Sequence, residues 1–577
     1  WITGFNFIDK YLVGNQELLP KELKENKGRN VYYGLPLLLG LIGLFWQIGK
    51  NKRGIQQFWV VFFLFFMTGI AIVLYLNQTP MQPRERDYAY AGSFYAFAIW
   101  IGMGVAGIAD FLNNYIRNNK TLTAVIASIV GICVPLQMAS QTWDDHDRSN
   151  RYVARDFGQN YLMTLPETNH PIIFTNGDND TFPLWYNQDT EGVRTDARTC
   201  NLSYLQTDWY IDQMKRPAYE SPSLPIHWER ADYIEGTNEV IPIRPEVGKQ
   251  LSKIYDNAKK ELKEGKTDLY EKLVDEFGEE PFELKNIMER WVLTKNEELK
   301  VIPTDSIILT IDKEAVRRSD IRIPAALGDS IPDHMVISLK GKNYLQKSEL
   351  MMLELIANTN WERPLYMAIT VGPDYQLNMR DHFVQEGLAY RFTPFNVAKL
   401  NATIDTERLY DNLMNKYKFG GINNPGVYLD ENTLRMCDTH RRLFSQLVSA
   451  LLQEGKREKA LKALAYCEEN IPHENVPYDF QNGALHMGEA YLVLGETEKA
   501  ESIISYLADK SVEYVTWYLS LEDYHLYPSL SEVEYHLAYL DAEVKILKRY
   551  NSSLTELYEN KLEQLYNELV LRVGNKR

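Results

Sequence analysis

The chain has 577 residues, which is too long for one hydrophobic core, so several structural units are expected. Its formal net charge of -16 argues against a nucleic-acid-binding protein, because phosphate binding requires clustered Lys and Arg. The four cysteines have neither CxxC pairing nor the spacing of a metal site, which argues against a disulfide framework. They are Cys133, Cys200, Cys437 and Cys467.

Four uncharged apolar stretches occupy the first quarter of the chain, and each is close to the ~20 residues that cross about 30 Å of hydrocarbon. They cover residues 31–49, 58–76, 89–109 and 121–138. The sequence therefore predicts four transmembrane helices within residues 31–141, after an outward loop or partial helix over residues 1–30. Since the chain begins with Trp-Ile-Thr rather than Met, we interpret it as the later part of a longer polytopic protein.

The charges of the connecting loops give these helices a direction. Lys50, Lys52 and Arg53 follow the first span, and Arg117 and Lys120 follow the third, whereas the opposite loops mix acids with bases. Short cytoplasmic loops carry an excess of Lys and Arg, so these two loops are predicted to face the cytoplasm. Everything after the fourth span is then predicted to be extracytoplasmic.

Residues 142–400 alternate short apolar strands with helices, which is typical of an α/β layer with a partly parallel sheet. Strands are predicted at 170–176, 195–202, 306–312, 335–339 and 364–371, and helices at 182–189, 206–214 and 346–358. The charged stretch 246–296 is predicted to be a solvated helical insertion.

The last predicted domain, residues 401–577, contains an internal repeat. Segment 450–460 matches segment 490–500, with six identical positions at an offset of forty residues. A helix, a glycine turn and a second helix rich in small residues are typical of tetratricopeptide-like units. The expected fold is therefore multidomain: an α-helical transmembrane region, an extracytoplasmic α/β domain, and all-α tetratricopeptide-like repeats.

The first candidate site is the outward loop between the second and third spans. Pro80 and Pro83 disfavour a continuous helix there, so Arg84 and Arg86 can be presented at the level of the lipid headgroups. Guanidinium groups suit the phosphate of a lipid carrier. In the structural alternative, both arginines snorkel and pair with neighbouring acids or anionic headgroups.

The second candidate is the acidic loop that leaves the first strand and opens a helix, which is where α/β sheets bind ligands. Its residues are Asn176, Asp178, Asn179, Asp180 and Trp185. The aspartates can chelate a hard cation or hydrogen-bond sugar hydroxyls beside the tryptophan. In the structural alternative, Gly177 makes the turn and Asp180 or Thr181 caps the helix.

The third candidate is the run Asp144, Asp145, His146 and Asp147 after the last span. A metal site is the weaker interpretation, because neighbouring residues seldom converge on one ion, and a solvated charge run is the stronger one. The sequence contains no HExxH, G-x-S-x-G or Walker motif that would indicate a catalytic centre.

Four segments together carry a family resemblance. They are LNQTPMQPRERDYAYAGSFYAFAIW, DDHDRSNRYVARDF, FTNGDNDTFPLWYNQDTEGVRTD and WERPLYMAIT. With them the chain resembles the bacterial branch of the protein O-mannosyltransferase-like family, which are polytopic membrane glycosyltransferases of the GT-C type. The similarity covers nearly the whole chain, and segments 84–95 and 176–195 are its specific parts.

The resemblance implies transfer of a sugar, mannose-like, from a polyprenyl-phosphate donor to Ser or Thr of exported proteins. The multi-pass protein would lie in the bacterial inner membrane with its large C-terminal region in the periplasm. In such enzymes an acid in an early outward loop acts as the base, and a cation steadies the departing lipid phosphate. Only the second role maps onto this chain, to Arg84 and Arg86, so the catalytic acid is expected upstream. A divalent cation is left open.

Two further interpretations compete with the enzyme. One is a non-catalytic envelope scaffold, anchored by the apolar helices, that binds protein partners through its repeats. The other is a transporter, which is weaker because no acidic or basic residue lies inside any predicted span.

Overall fold

The computed structural model describes residues 3–78, 86–116 and 119–574. It is mostly helical, and the chain divides into two compact units. The first, called here the helical unit, comprises Trp1–Ser149 and Ile504–Arg577. The second, called the sheet unit, comprises Asn150–Ile503.

The helical unit begins with short helices and continues with long apolar ones. They are α1 (Asn6–Leu12), α2 (Lys21–Lys24), α3 (Leu35–Ile48), α4 (Lys52–Thr68), α5 (Ile70–Leu76), α6 (Ala91–Asn113) and α7 (Lys120–His146). Three helical stretches are long and apolar enough to cross a membrane: Lys52–Leu76, Asp87–Asn113 and Lys120–His146. Only 11%, 22% and 17% of their most apolar windows are buried, so their apolar surfaces suit contact with lipid.

The first predicted span is shorter in the structure than in the prediction. Helix α3 has 14 residues because it starts after Gly34, whose φ is 66°, and ends at Gly49. It therefore rises only about 21 Å. The fourth span is longer than predicted, since α7 continues to His146.

Glycines bring α3 and α6 into close contact. A Cβ atom on Gly43 would collide with the carbonyl oxygen of Trp100, and one on Gly104 would collide with that of Leu39. The two backbones therefore touch, as in other membrane helix pairs with small residues at the contact. Between them, the buried Trp100 Nε1 donates to Gln47 Oε1 at 2.8 Å.

The bundle of α3 to α7 has two ends, and exposed aromatic side chains lie at both, with Phe111 and Tyr115 at the end where α3 finishes. At the end where α3 begins, called the Tyr33 end, exposed aromatic side chains gather. They are Tyr33, Tyr75, Tyr88 and Trp143. At the other end, called the Lys50 end, Lys50 Nζ lies 2.5 Å from Asp110 Oδ2. Aromatic rings at the ends of apolar helices are typical of membrane interfaces.

The sheet unit contains nine strands and most of the remaining helices. In chain order they are α8 (Val153–Thr164), β1 (Ile172–Thr175), α9 (Asp178–Asp189), β2 (Arg198–Asn201), α10 (Asp208–Met214), α11 (Arg230–Tyr233), β3 (Val240–Pro242), α12 (Pro245–Lys263), α13 (Asp268–Phe277), α14 (Leu284–Asn286), β4 (Ser306–Thr310), α15 (Lys313–Arg318), β5 (His334–Ser338), β6 (Tyr344–Gln346), α16 (Lys347–Thr359), β7 (Leu365–Ala368), β8 (Phe383–Gln385), β9 (Ala389–Phe392), α17 (Thr406–Asp411), α18 (Glu431–Gln453), α19 (Arg457–Asn470), α20 (Ala484–Leu494) and α21 (Thr497–Leu519).

The main sheet is mixed and has the strand order β2-β1-β7-β9-β8. Strand β1 pairs in parallel with β2 and with β7, and β8 and β9 add antiparallel pairs. Every residue of β1, β2 and β7 is buried, as expected for parallel strands covered on both faces. The partly parallel sheet predicted from the sequence is confirmed.

Two predicted strands do not join this sheet. Strands β4 and β5 form a separate two-stranded sheet, in an antiparallel ladder of five residue pairs. The charged insertion forms α12 and α13, joined through a turn at Gly265.

Helices dominate the C-terminal third. The two repeated segments form the same turn, since Gly455 and Gly495 both have positive φ, 74° and 89°. Three further helices complete the helical unit: α22 (Asp523–Leu526), α23 (Leu530–Arg549) and α24 (Thr555–Gly574). The boundary between the two units falls within α21, so the part of this helix up to Ile503 belongs to the sheet unit and the part from Ile504 belongs to the helical unit.

Candidate ligand site at the carboxyl edge of the mixed sheet

Strand β1 lies at the point where the sheet changes direction. Its first neighbour, β2, follows it along the chain, whereas its other parallel neighbour, β7, comes almost two hundred residues later. Such a switch point leaves a crevice outside the carboxyl ends of the two central strands, and ligands of α/β proteins bind there. The loops after β1, β2 and β7 all meet at this edge.

Asp180 holds two of these loops together. Its side chain is only 2% exposed, and its Oδ2 accepts from Asn176 N at 3.1 Å and from Thr370 Oγ1 at 2.8 Å. Behind it, Tyr161 Oη lies 3.1 Å from the same threonine hydroxyl. Burial raises the pKa of Tyr161, so this phenol stays protonated as a hydrogen-bonding group.

A second set of hydrogen bonds fixes the loop after β2. Asn201 Nδ2 donates to Thr181 Oγ1 at 2.8 Å and to the Gly177 carbonyl at 3.3 Å. Its Oδ1 accepts from Tyr204 N at 3.0 Å. Gly177 has φ 103°, a conformation that favours glycine, which accounts for glycine at this turn. These hydrogen bonds join the loop after β1 to the loop after β2.

Several residues of the loops at this edge are exposed to solvent, and together they are called the rim. Asp178, Asn179 and Ser203 are exposed, and Ser203 Oγ donates to the half-buried Asn176 Oδ1 at 2.5 Å. The structure thus separates the two predicted aspartates, because Asp178 faces water while Asp180 is buried and hydrogen-bonded. Among the described residues, no group of three or more His, Cys, Asp or Glu side chains is arranged to hold a metal ion.

Aromatic rings continue the rim on one side. Phe182 lies 5.6 Å from Trp185, Trp185 stacks on Tyr204 at 6.1 Å, and Tyr204 lies 5.8 Å from Trp209. These four residues are called the aromatic row. Phe182 and Trp209 are 46% and 53% exposed, although exposed aromatic side chains are costly in water. Flat rings beside amide and carboxyl groups form a surface that can hold a sugar or an extended peptide.

The comparisons with known proteins concern this unit. A family model described as TMEM260-associated domain 2 matches residues 154–409. The match runs from α8 to α17, so it includes the switch point, the Asp180 hydrogen bonds and the whole aromatic row. Comparison with curated proteins and with solved structures gives no match.

The first predicted site is only partly described. Arg84 lies outside the described residues. Arg86 is exposed and immediately precedes a short 3₁₀ helix, Asp87–Tyr90, at the Tyr33 end of the bundle. Within the described ranges, no ion pair involves Arg86.

In the third predicted site, the run 144–147, Asp145 has a structural role. Asp145 is buried, its Oδ2 accepts from Asn30 Nδ2 at 2.8 Å, and its Oδ1 lies 2.7 Å from His146 Nδ1. This carboxylate therefore fastens the chain that enters α3 to the last turn of α7.

The sequence analysis did not predict a buried ionic cluster that involves strands β7 and β9 of the main sheet. Arg391, 1% exposed, donates to Asp320 at 2.5 and 3.1 Å and to Tyr366 Oη at 2.9 Å. Tyr366 Oη donates in turn to Glu386 Oε2 at 2.6 Å, and Arg408 Nη1 lies 2.5 Å from Glu386 Oε1. Burial raises the pKa of Glu386, and the two arginines oppose that rise. No sequence motif marks these scattered residues.

It also missed Thr370, Ser203 and Tyr204 at the sheet edge. Ser203 and Tyr204 follow the strand predicted at 195–202, so the rule that ligands bind at the carboxyl ends of the strands could have indicated them. Thr370 lies inside the strand predicted at 364–371, and only the structure, in which β7 ends at Ala368, places it in the loop at this edge.

Proposed function

We propose that this chain forms part of a membrane glycosyltransferase that moves a mannose-like sugar from a polyprenyl phosphate to Ser or Thr of exported proteins. The main support is the match of residues 154–409 to the TMEM260-associated domain. TMEM260 proteins form a protein O-mannosyltransferase-like family. Three membrane-length helices in the same chain fit a lipid-linked donor.

The donor phosphate binds to the arginines between the second and third spans. Arg86 is exposed at the Tyr33 end, among the aromatic residues of an interface. A guanidinium offers two parallel hydrogen bonds to a phosphate and stabilises the charge that grows as the sugar leaves. Arg84, two residues earlier, adds a second such group.

The acceptor, or the sugar itself, binds at the sheet edge. The aromatic row supplies flat apolar surface, and the exposed Asp178 and Asn179 accept and donate hydrogen bonds to hydroxyl groups. The buried Asp180 keeps this rim in place and does not contact the ligand. Loop charges support a periplasmic location for the sheet unit in a bacterium, because Lys50, Lys52 and Arg53 favour the cytoplasm.

The test is transfer of radiolabelled sugar from a polyprenyl-phosphate donor by the full-length protein. Arg84→Ala and Arg86→Ala are expected to lower the rate at least about tenfold, as loss of a charge-stabilising group does. Arg53→Ala, an exposed arginine at the Lys50 end, is the matched control and should leave the rate unchanged. Equal rates in all three variants would exclude the proposed phosphate site.

A scaffold is the second candidate, supported by an open cleft of about 440 Å³ in the sheet unit. Its lining includes Glu468, Pro472, Glu498 and Ile503 from α19, α21 and the segment after α19. If the chain is a scaffold, the Glu498→Lys variant should lose proteins that co-purify with the unaltered protein. Sugar transfer should then be the same in this variant, in the arginine variants and in the unaltered protein, whether it is present or absent. Loss of transfer in the arginine variants alone favours the enzyme.

A further inference from the structure

Helix α1 is amphipathic although it has only seven residues. Positions 7, 8, 11 and 12 fall on one face of a helix with 3.6 residues per turn. They carry Phe7, Ile8, Tyr11 and Leu12, whereas the other face carries Asn6, Asp9 and Lys10. On the apolar face, Phe7, Tyr11 and Leu12 are 71%, 66% and 59% exposed, and on the polar face Asn6 and Lys10 are exposed as well while Asp9 is buried.

This exposure does not come from a frayed helix. The buried Asp9 carboxylate accepts from Thr3 N at 2.7 Å, from Thr3 Oγ1 at 2.8 Å and from Gly4 N at 2.9 Å. A carboxylate that satisfies the free N–H groups in front of a helix fixes its start. The chain therefore holds α1 in place with its apolar face outward.

Contacts place α1 at the Tyr33 end of the apolar bundle. The Phe5 ring lies 5.7 Å from the Tyr33 ring, and Gly4 packs closely against Val31. The Val31 carbonyl accepts from Gln137 Nε2 of α7 at 2.6 Å. Because α3 starts just after Tyr33 and α7 ends nearby, α1 lies at the level where these apolar helices leave the hydrocarbon.

The C-terminal helices are bound to the same segment. Tyr524 Oη of α22 donates to the Tyr11 carbonyl at 2.9 Å, and Trp517 Nε1 of α21 donates to the Asn15 carbonyl at 3.0 Å. Tyr524 is itself 58% exposed, beside α1. The apolar face of α1 and Tyr524 thus form one outward surface.

We propose that this surface, made of Phe7, Tyr11, Leu12 and Tyr524, is embedded in the headgroup region of the bilayer that α4 to α7 cross. Its occupant is the phospholipid surface, because the patch is continuous with the helices that meet lipid and because Phe and Tyr favour that interface. It anchors the C-terminal helices of this unit at the membrane. The proposal is independent of the enzymatic function.

The test uses full-length protein in phosphatidylcholine vesicles and one nitroxide label at a time. Cys133 is exposed and the other three cysteines are buried, so Cys133→Ala gives a background for single labels. Labels are placed by Phe7→Cys and Tyr11→Cys, with Lys10→Cys on the polar face as the matched control. Accessibility is measured to oxygen, which concentrates in lipid, and to a water-soluble nickel complex.

Labels at positions 7 and 11 are expected to meet oxygen at least about threefold more than the label at position 10, and the nickel complex correspondingly less. Equal nickel accessibility at all three positions would overturn the proposal, because the face would then lie in water. Protection of positions 7 and 11 from both reagents would also overturn it, since a protein partner would then cover the face.

Discussion

Asp178 and Asp180 show how strongly position decides the role of a residue. They lie two residues apart on the first turn of α9, yet one is exposed and the other accepts two hydrogen bonds out of contact with water. Sequence alone offers both as ligands for a cation. The structure places only Asp178 on the exposed rim of the sheet edge.

Replacing each aspartate by asparagine separates these roles. Asp180→Asn is expected to lower the free energy of unfolding by about 1–3 kcal/mol, because a neutral amide oxygen binds the two donors more weakly than a charged carboxylate oxygen and the other oxygen is replaced by an NH₂ donor. Asp178→Asn should change it by no more than about 0.5 kcal/mol. Chemical denaturation of both variants measures the difference, and equal losses would contradict the assigned roles.

His440 makes stability depend on pH. Its ring is buried between Phe157 and Phe419, its Nε2 lies 3.0 Å from Asn160 Nδ2, and burial lowers its pKa to about 4. In the unfolded chain the histidine has an ordinary pKa of ~6.5. Between this pH and the lower pKa of the folded state, the unfolded chain binds a proton at His440 and the folded protein does not. The free energy of unfolding is therefore expected to fall as the pH drops from about 6.5 to about 4.

Thermal melting between pH 7 and pH 4.5 tests this expectation, with His440→Gln as the control. The variant cannot take up a proton at this position, so its melting temperature should fall less over the same interval. Parallel curves for the two proteins would show that another group causes the loss.

At the scale of elements, the cluster around Arg391 joins pieces that are distant in the sequence. Arg391 lies on β9, Tyr366 on β7 and Arg408 on α17, and Asp320 lies in the loop after α15. A buried charge of this kind is costly unless each partner is present. The stability of the antiparallel strand β9 in the main sheet thus depends on the carboxylate of Asp320, which lies outside the sheet.

Asp320→Ala is expected to cost about 3–5 kcal/mol, because it leaves Arg391 buried without its carboxylate. The matched control is Asp333→Ala, which breaks the ion pair with Lys313 at 2.6 Å, where the aspartate side chain is 84% exposed. That change should cost less than about 1 kcal/mol. Urea titrations compare the two, and similar midpoints would contradict the structural role of the cluster.

The elements themselves could largely be predicted from the sequence. Strands β1 and β7 are short apolar runs bounded by Gly or Pro, and the insertion at α12 and α13 follows from its charge pattern. Which strands pair could not be predicted, because pairing depends on contacts distant in sequence, and β4 and β5 form a separate antiparallel ladder although α15 lies between them in the chain. At the candidate site, local signals in the sequence predict Asn176 and Trp185, whereas Thr370 is brought to the same edge by a strand remote in the chain.

For the whole molecule, the orientation of the apolar helices can be measured with two matched tyrosines. Tyr88, at the Tyr33 end, and Tyr115, at the Lys50 end, are both well exposed. In intact cells, and in a Cys133→Ala background, a membrane-impermeant maleimide should label Tyr88→Cys at once and Tyr115→Cys only after permeabilisation. The reverse order would contradict the orientation that the loop charges predict.

The short helix α3 also has a consequence for the membrane around the protein. It rises about 21 Å, roughly 9 Å less than a typical hydrocarbon core, and its glycine contacts with α6 prevent it from shifting alone. A short apolar helix beside longer ones creates a hydrophobic mismatch, which membranes meet by local thinning, by snorkelling of flanking side chains or by association with further helices, each at a fraction of a kcal/mol per Å. The exposed leucines of α3 are therefore the part of the bundle most sensitive to the thickness of the surrounding bilayer.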